Sequence, residues 1–189
     1  MANKFTYQIL RDTTTDAVIK LTGTFDGTSG QEANNSRIQA NSLFGALDAN
    51  NNLLTTGNTA KSYYDLQITG VKAIVNFTTA GTGAVEMFWN GAGATSAAQY
   101  ANSATIFHMN GNSDYGNGEQ LPSILNNSGN TALGAASVGN GDIGFYTSGA
   151  VANSAYTIFV AVRKNNAMYQ RGQFNDPAAF NAPPYRITP

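Results

Sequence analysis

Three features of the 189-residue sequence predict an all-β protein, an antiparallel β-sandwich or jelly roll with an extended Pro-rich C-terminal arm. Apolar residues recur with period two rather than 3.6. Turn formers punctuate the chain throughout, with 20 Gly, 23 Asn and 20 Thr. Four of the five prolines fall from Pro177 to Pro189, where missing amide donors exclude a central strand. The length fits one domain, placed at 1–174, with the arm at 175–189.

The elements follow in order. Phe5, Tyr7 and Ile9 alternate with Thr6, Gln8 and Leu10, which predicts a strand. Val18 to Phe25 is a second, with Ile19, Leu21 and Phe25 on one face. Arg37 to Leu47 reads as a strand or as a short helix near Asn41-Ser42 with Leu43, Phe44 and Leu47 inward. Tyr63 to Thr69 and Val71 to Thr78 read as two strands joined at Gly70. Ala84 to Trp89 and Thr105 to Met109 follow, the latter ending in the turn dipeptide Asn110-Gly111. Ile124-Leu125 and Ile143 to Tyr146 are shorter. Tyr156 to Arg163 is richest in β-branched and aromatic residues. The total is roughly eight to ten strands, the pattern of a sandwich or jelly roll.

Charge narrows the function classes. Only 11% of residues are charged, against roughly 25% in an average protein. Residues 73–162 contain no Lys or Arg, and carry Glu86, Asp114, Glu119 and Asp142. Phosphates cannot be neutralised over that stretch, which argues against nucleic-acid binding. Residues 163–189 carry Arg163, Lys164, Arg171 and Arg186 against Asp176. The absence of cysteine excludes disulfides, thiolate zinc sites and Cys nucleophiles. The opening Met1-Ala2-Asn3-Lys4-Phe5 has no apolar core of a signal peptide, and no run reaches a membrane span. The expectation is a chain without secretory signal or membrane contact.

Catalytic chemistry finds little support. The single histidine, His108, lies between Phe107 and Met109 and reads as a half-buried structural residue. Asn110 to Glu119 is oxygen-rich but misses the calcium-loop pattern. Gly139-Asn-Gly141-Asp-Ile-Gly144 matches a dinucleotide fingerprint by letter, yet a strand follows where a helix is required. Three Glu residues offer no obvious pair for glycoside hydrolysis. The reading is therefore a non-enzyme with no cofactor and no metal. Trp89, Tyr100 and Tyr115 are candidates to stack on sugar rings, with core or rim packing as the commoner use of such residues. In the arm and just before it, Phe174, Phe180, Pro183, Pro184, Tyr185, Arg186 and Ile187 are candidates for an assembly interface. Such an arm lies on another subunit or packs back on its own domain.

Several stretches resemble one family. These are Lys4-Phe-Thr-Tyr-Gln-Ile-Leu-Arg-Asp-Thr, Ala17-Val-Ile-Lys-Leu-Thr-Gly, Phe25-Asp-Gly, Gly141-Asp-Ile-Gly-Phe, Ala155-Tyr-Thr-Ile and the run from Tyr169 to Asn181. They are similar to virion structural proteins of cyanophages and related marine tailed phages, over both ends of the chain but not over 79–140. The resemblance implies a structural protein of a bacteriophage particle, assembled in the host cytoplasm. Small size, a neutral surface and the arm point to a capsid decoration or cement protein. Its expected partners are the major capsid protein or other virion proteins and further copies of itself, as a homo-oligomer. The alternative is a tail, neck or fibre component, including a carbohydrate-binding module for receptor recognition.

Overall fold

The computed structural model describes residues 2–28, 30–77, 83–91, 103–115, 124–125 and 141–170. Ten strands run through them: β1 (Lys4–Asp12), β2 (Asp16–Thr24), β3 (Ala33–Ile38), β4 (Leu66–Asn76), β5 (Ala84–Trp89), β6 (Ala104–Met109), β7 (Gly111–Tyr115), β8 (Ile124–Leu125), β9 (Ile143–Ser148) and β10 (Ala155–Lys164). One sheet has the order β1-β2-β10-β4-β7, with β8 also on β4. The other has the order β3-β9-β5-β6. Every pairing is antiparallel. The inner faces share one core, to which the first sheet brings Ile19, Leu21, Ile158 and Val160 and the second brings Val85, Met87, Phe145 and Met109. Each such side chain contributes roughly 1.5–3 kcal/mol on burial.

The pairings nest. Leaving aside β1 and β8, eight strands remain. The first pairs with the last (β2–β10), the second with the seventh (β3–β9), the third with the sixth (β4–β7) and the fourth with the fifth (β5–β6). This is a long antiparallel ribbon folded over itself.

Several expectations change in the structure. The two strands expected on either side of Gly70 are one strand, β4. Leu66 and Ile68 face inward before Gly70, and Val71, Ala73 and Val75 after it. The phase flips because Thr69 is left over where Ala161 pairs with Gly70 and Val162 with Ile68. A bulge adds one residue and reverses the alternation, so the sequence pattern breaks where the strand does not. Asn110-Gly111 does turn, with Gly111 at φ +70°. It joins no hairpin, however, since β6 and β7 belong to different sheets. Leu43 and Leu47 are buried as expected, but Phe44 is 40% exposed.

Residues 39–65 connect the two sheets through a short 3-10 turn at Ala40–Ser42. Two tyrosines fasten this long connection. Tyr64 donates to the Leu47 carbonyl at 2.6 Å and Tyr169 to the Ala40 carbonyl at 2.8 Å, and their rings lie 5.6 Å apart. Asp142 accepts the Ala40 amide at 2.8 Å. Gly141, at φ +90°, lies so close that an added Cβ would fall 1.8 Å from the Tyr64 carbonyl oxygen. Only glycine satisfies both demands.

Candidate functional site

Alternation along β10 sets one inward row: Tyr156, Ile158, Val160, Val162 and Lys164. The middle is apolar and both ends are polar. At one end the Lys164 side chain is completely buried. Its ammonium donates to the Asp12 carboxylate, to the Thr13 carbonyl at 2.6 Å and to the Phe44 carbonyl at 2.8 Å. A lysine has three donors, and all three are used. The rings of Tyr169 and Phe44 stand 5.3 and 6.0 Å from Nζ. Burial pushes the ammonium below the ordinary lysine range, and Asp12 pulls it back.

At the other end Glu32 accepts the Tyr156 hydroxyl. Its second oxygen faces Arg37 Nε at 3.1 Å, an ion pair without an aligned hydrogen bond. Arg37 Nη2 donates to the Thr6 carbonyl at 2.8 Å and the Thr22 carbonyl at 3.3 Å. Glu32 and Thr147 exchange two bonds through the Glu32 backbone. The cluster therefore ties β3 of one sheet to β1, β2 and β10 of the other. Burial raises the Glu32 carboxyl above its usual range, opposed by Tyr156 and Arg37. Desolvation and the Glu32 charge hold the Tyr156 hydroxyl well above the ordinary phenol range. Gly23 makes room for that ring, since a Cβ there would meet it at 2.3 Å. Sequence reading passed over Lys164, Glu32 and Arg37. The signal for Lys164 was present, because it continues the even-numbered apolar row of β10.

A cavity of about 220 Å³ opens where β4 begins and β10 ends, lined by Asp65, Gln67, Arg163, Lys164, Asn165 and Asn166. Its volume lies below the roughly 300 Å³ at which drug-sized pockets begin. Asp65 accepts the Asn165 side-chain amide at 2.7 Å. Arg163 stands across from Gln67 on one neighbour strand and Asp16 on the other. The lining supplies hydrogen-bond donors and acceptors of both signs, suited to a small polar group.

Of the residues singled out from sequence, Trp89, Tyr115 and His108 are among the described ones. Trp89 is 2% exposed in the core, so it presents no ring face to a sugar, and its indole nitrogen has no hydrogen-bond partner among the described residues. The reason is phase: it shares the inward row of β5 with Val85 and Met87. Tyr115 stacks on Phe107 at 4.5 Å, a packing contact. Tyr100, Phe174, Phe180, Pro183, Pro184, Tyr185, Arg186 and Ile187 lie outside the described residues. His108 is exposed rather than half-buried. Phe107 and Met109 flank it in sequence, and it pairs with Glu86 across the sheet. Alternation sends it to the outer face while Met109 goes inward. Of the Asn110–Glu119 loop, the part through Tyr115 is strand β7 with its leading turn. Among the described residues no three His, Cys, Asp or Glu side chains gather to hold a metal ion. No helix there is long and apolar enough to cross a membrane.

No protein-family model, no curated protein and no solved structure matches this chain.

Proposed function

We propose that the chain is a jelly-roll structural protein of a virus particle, a decoration or cement protein on a phage capsid. The nested pairing carries this reading. An eight-stranded ribbon paired first-to-last and folded into two sheets is the jelly-roll plan, which recurs in viral capsid and lectin domains. The step from plan to particle is a fold-level analogy. It is supported by the resemblance of both chain ends to phage structural proteins. Low charge also fits, since contacts built on hydrogen bonds and apolar area lose little to salt. The protein acts by binding and bridging, without chemistry.

Quantitative mass spectrometry of purified virions, with antibody-gold labelling, tests this. Many copies spread over the head support decoration. A handful at one vertex or on the tail overturns it in favour of a tail or fibre role, and absence from the particle overturns the virion reading altogether. The saccharide-binding alternative draws on the polar cavity beside Arg163 and Asn165 rather than on Trp89. A glycan array with the wild type and Arg163→Ala decides it: no hit removes it, and a hit lost in the variant establishes it.

A further inference from the structure

The outer face of the first sheet gathers most of the described cations. Register and burial place Lys4 and Arg11 of β1, Lys20 of β2, Lys72 of β4 and Arg163 of β10 on it. These are five of the eight Lys and Arg among the described residues. Two acids share the face. Asp16 pairs with Arg11 at 2.9 Å, and Asp114 stands 3.8 Å from Lys72. The Arg11 and Lys72 side chains are still 60% and 63% exposed. The face is thus net +3, while the described residues off it hold three cations and seven acids, net −4. A chain close to neutral as a whole is therefore dipolar as a body, and its field turns this face toward an anion.

The spacing of the charges selects the kind of anion. Phe159, partly exposed, lies near the middle of the face. Lys20 and Lys72 stand opposite it on the two neighbouring strands, and Lys20 Nζ is 5.9 Å from its ring centre. Two strand spacings put these lysines about 10 Å apart. Arg163 follows four residues along β10, about 13 Å away, and also lines the polar cavity. Duplex nucleic acid presents one charge per roughly 1.7 Å of axis, far denser than this face can match. Between its cations the face offers neutral hydrogen-bonding groups. Thr6, Thr22 and Thr157 stand in register across three strands, and Gln8 lies beside Lys20. Hydroxyls and amides suit the hydroxyls of a sugar, and a ring face suits its C–H surface. The face is five strands wide, about 20 Å, which suits an extended chain better than a compact ligand.

We propose that this face binds an acidic polysaccharide, a sugar chain whose anionic groups are separated by neutral residues, with Lys20 and Lys72 pairing its anions on either side of Phe159. This does not rest on the virion reading, and its test needs no particle. Surface plasmon resonance of the purified full-length protein on immobilised hyaluronan, which carries one carboxylate per disaccharide, should show binding, and neutral dextran should show none. Lys20→Gln/Lys72→Gln should weaken binding about tenfold. Lys61→Gln, in the long connection and off the face, should leave it unchanged. For the wild type alone, binding should fade as salt passes about 0.1 M, where the Debye length of roughly 10 Å equals the lysine spacing. No binding to hyaluronan overturns the proposal. So does binding that survives salt or the double variant, or that falls equally in Lys61→Gln. Equal binding to dextran overturns it by removing charge from recognition. Tighter binding to polyglutamate or duplex DNA overturns it by giving the face to a protein or a nucleic acid.

Discussion

The inner row of β10 ends in a buried cation on one side and a buried carboxylate on the other, and the two ends are held differently. Lys164 stays within the first sheet and its adjoining loops. Its three donors meet one carboxylate and two fixed backbone carbonyls. Glu32 crosses between sheets, with one oxygen on Tyr156 and the other only facing Arg37. The Arg37 contacts to Thr6 and Thr22 then make that guanidinium the true bridge. A lysine saturated by three acceptors is a closed joint. A carboxylate with one aligned donor is a looser one, held by the residues around it.

The largest expected effect tests the closed joint. Lys164→Met leaves the Asp12 carboxylate, with a side chain only 13% exposed, and two carbonyls without their donor. Removing one partner of a buried pair costs about 3–5 kcal/mol, to be read from urea unfolding. The double variant Asp12→Asn/Lys164→Met should lose less than the sum of the singles, because the two share one interaction. A loss under about 1 kcal/mol for Lys164→Met would make both ends equally loose.

A smaller effect is expected at the other end. Tyr156→Phe keeps the ring over Gly23 and removes only the hydroxyl, at a cost of about 1–2 kcal/mol. The smallest effect is a slope with pH. The Glu32 carboxyl is raised in the folded protein, so between its unfolded and folded values the folded state binds more protons. Its contribution is complete below the unfolded value and is lost as pH climbs through the folded one. Glu32→Gln should remove this term. The stability of the wild type relative to the variant should therefore fall as pH rises from about 4 toward neutrality, measured by denaturant melts. A difference independent of pH would mean that Arg37 and Tyr156 fully offset the burial.

Much of the fold was legible in particular residues. Ile19, Leu21 and Phe25 announced the inward row of β2 and its continuation, and Ile158, Val160 and Val162 that of β10. Where reading failed, the cause was local. At Gly70 a bulge imitated a strand break. At His108 apolar neighbours on the inward phase lent a false appearance of burial. At Trp89 residue type suggested a ligand platform, while its phase with Val85 and Met87 assigned it to the core. The buried polar joints were hardest to read, because their partners are distant in sequence: Glu32 meets Tyr156, and Asp12 meets Lys164.

By itself the sequence determined the period, and so which side chains share a face of each strand. It determined the low charge and the absence of thiol chemistry as well. Only the tertiary structure decided which strands are neighbours, which of the two sheets each joins, and which distant groups hold Lys164 and Glu32. Alternation is a local property of a pleated chain. Pairing is chosen by contacts that become favourable only after distant segments are brought together against the entropy of loop closure. The nesting of β2 with β10 and of β3 with β9 joins segments more than a hundred residues apart, a relation that no run of adjacent residues encodes.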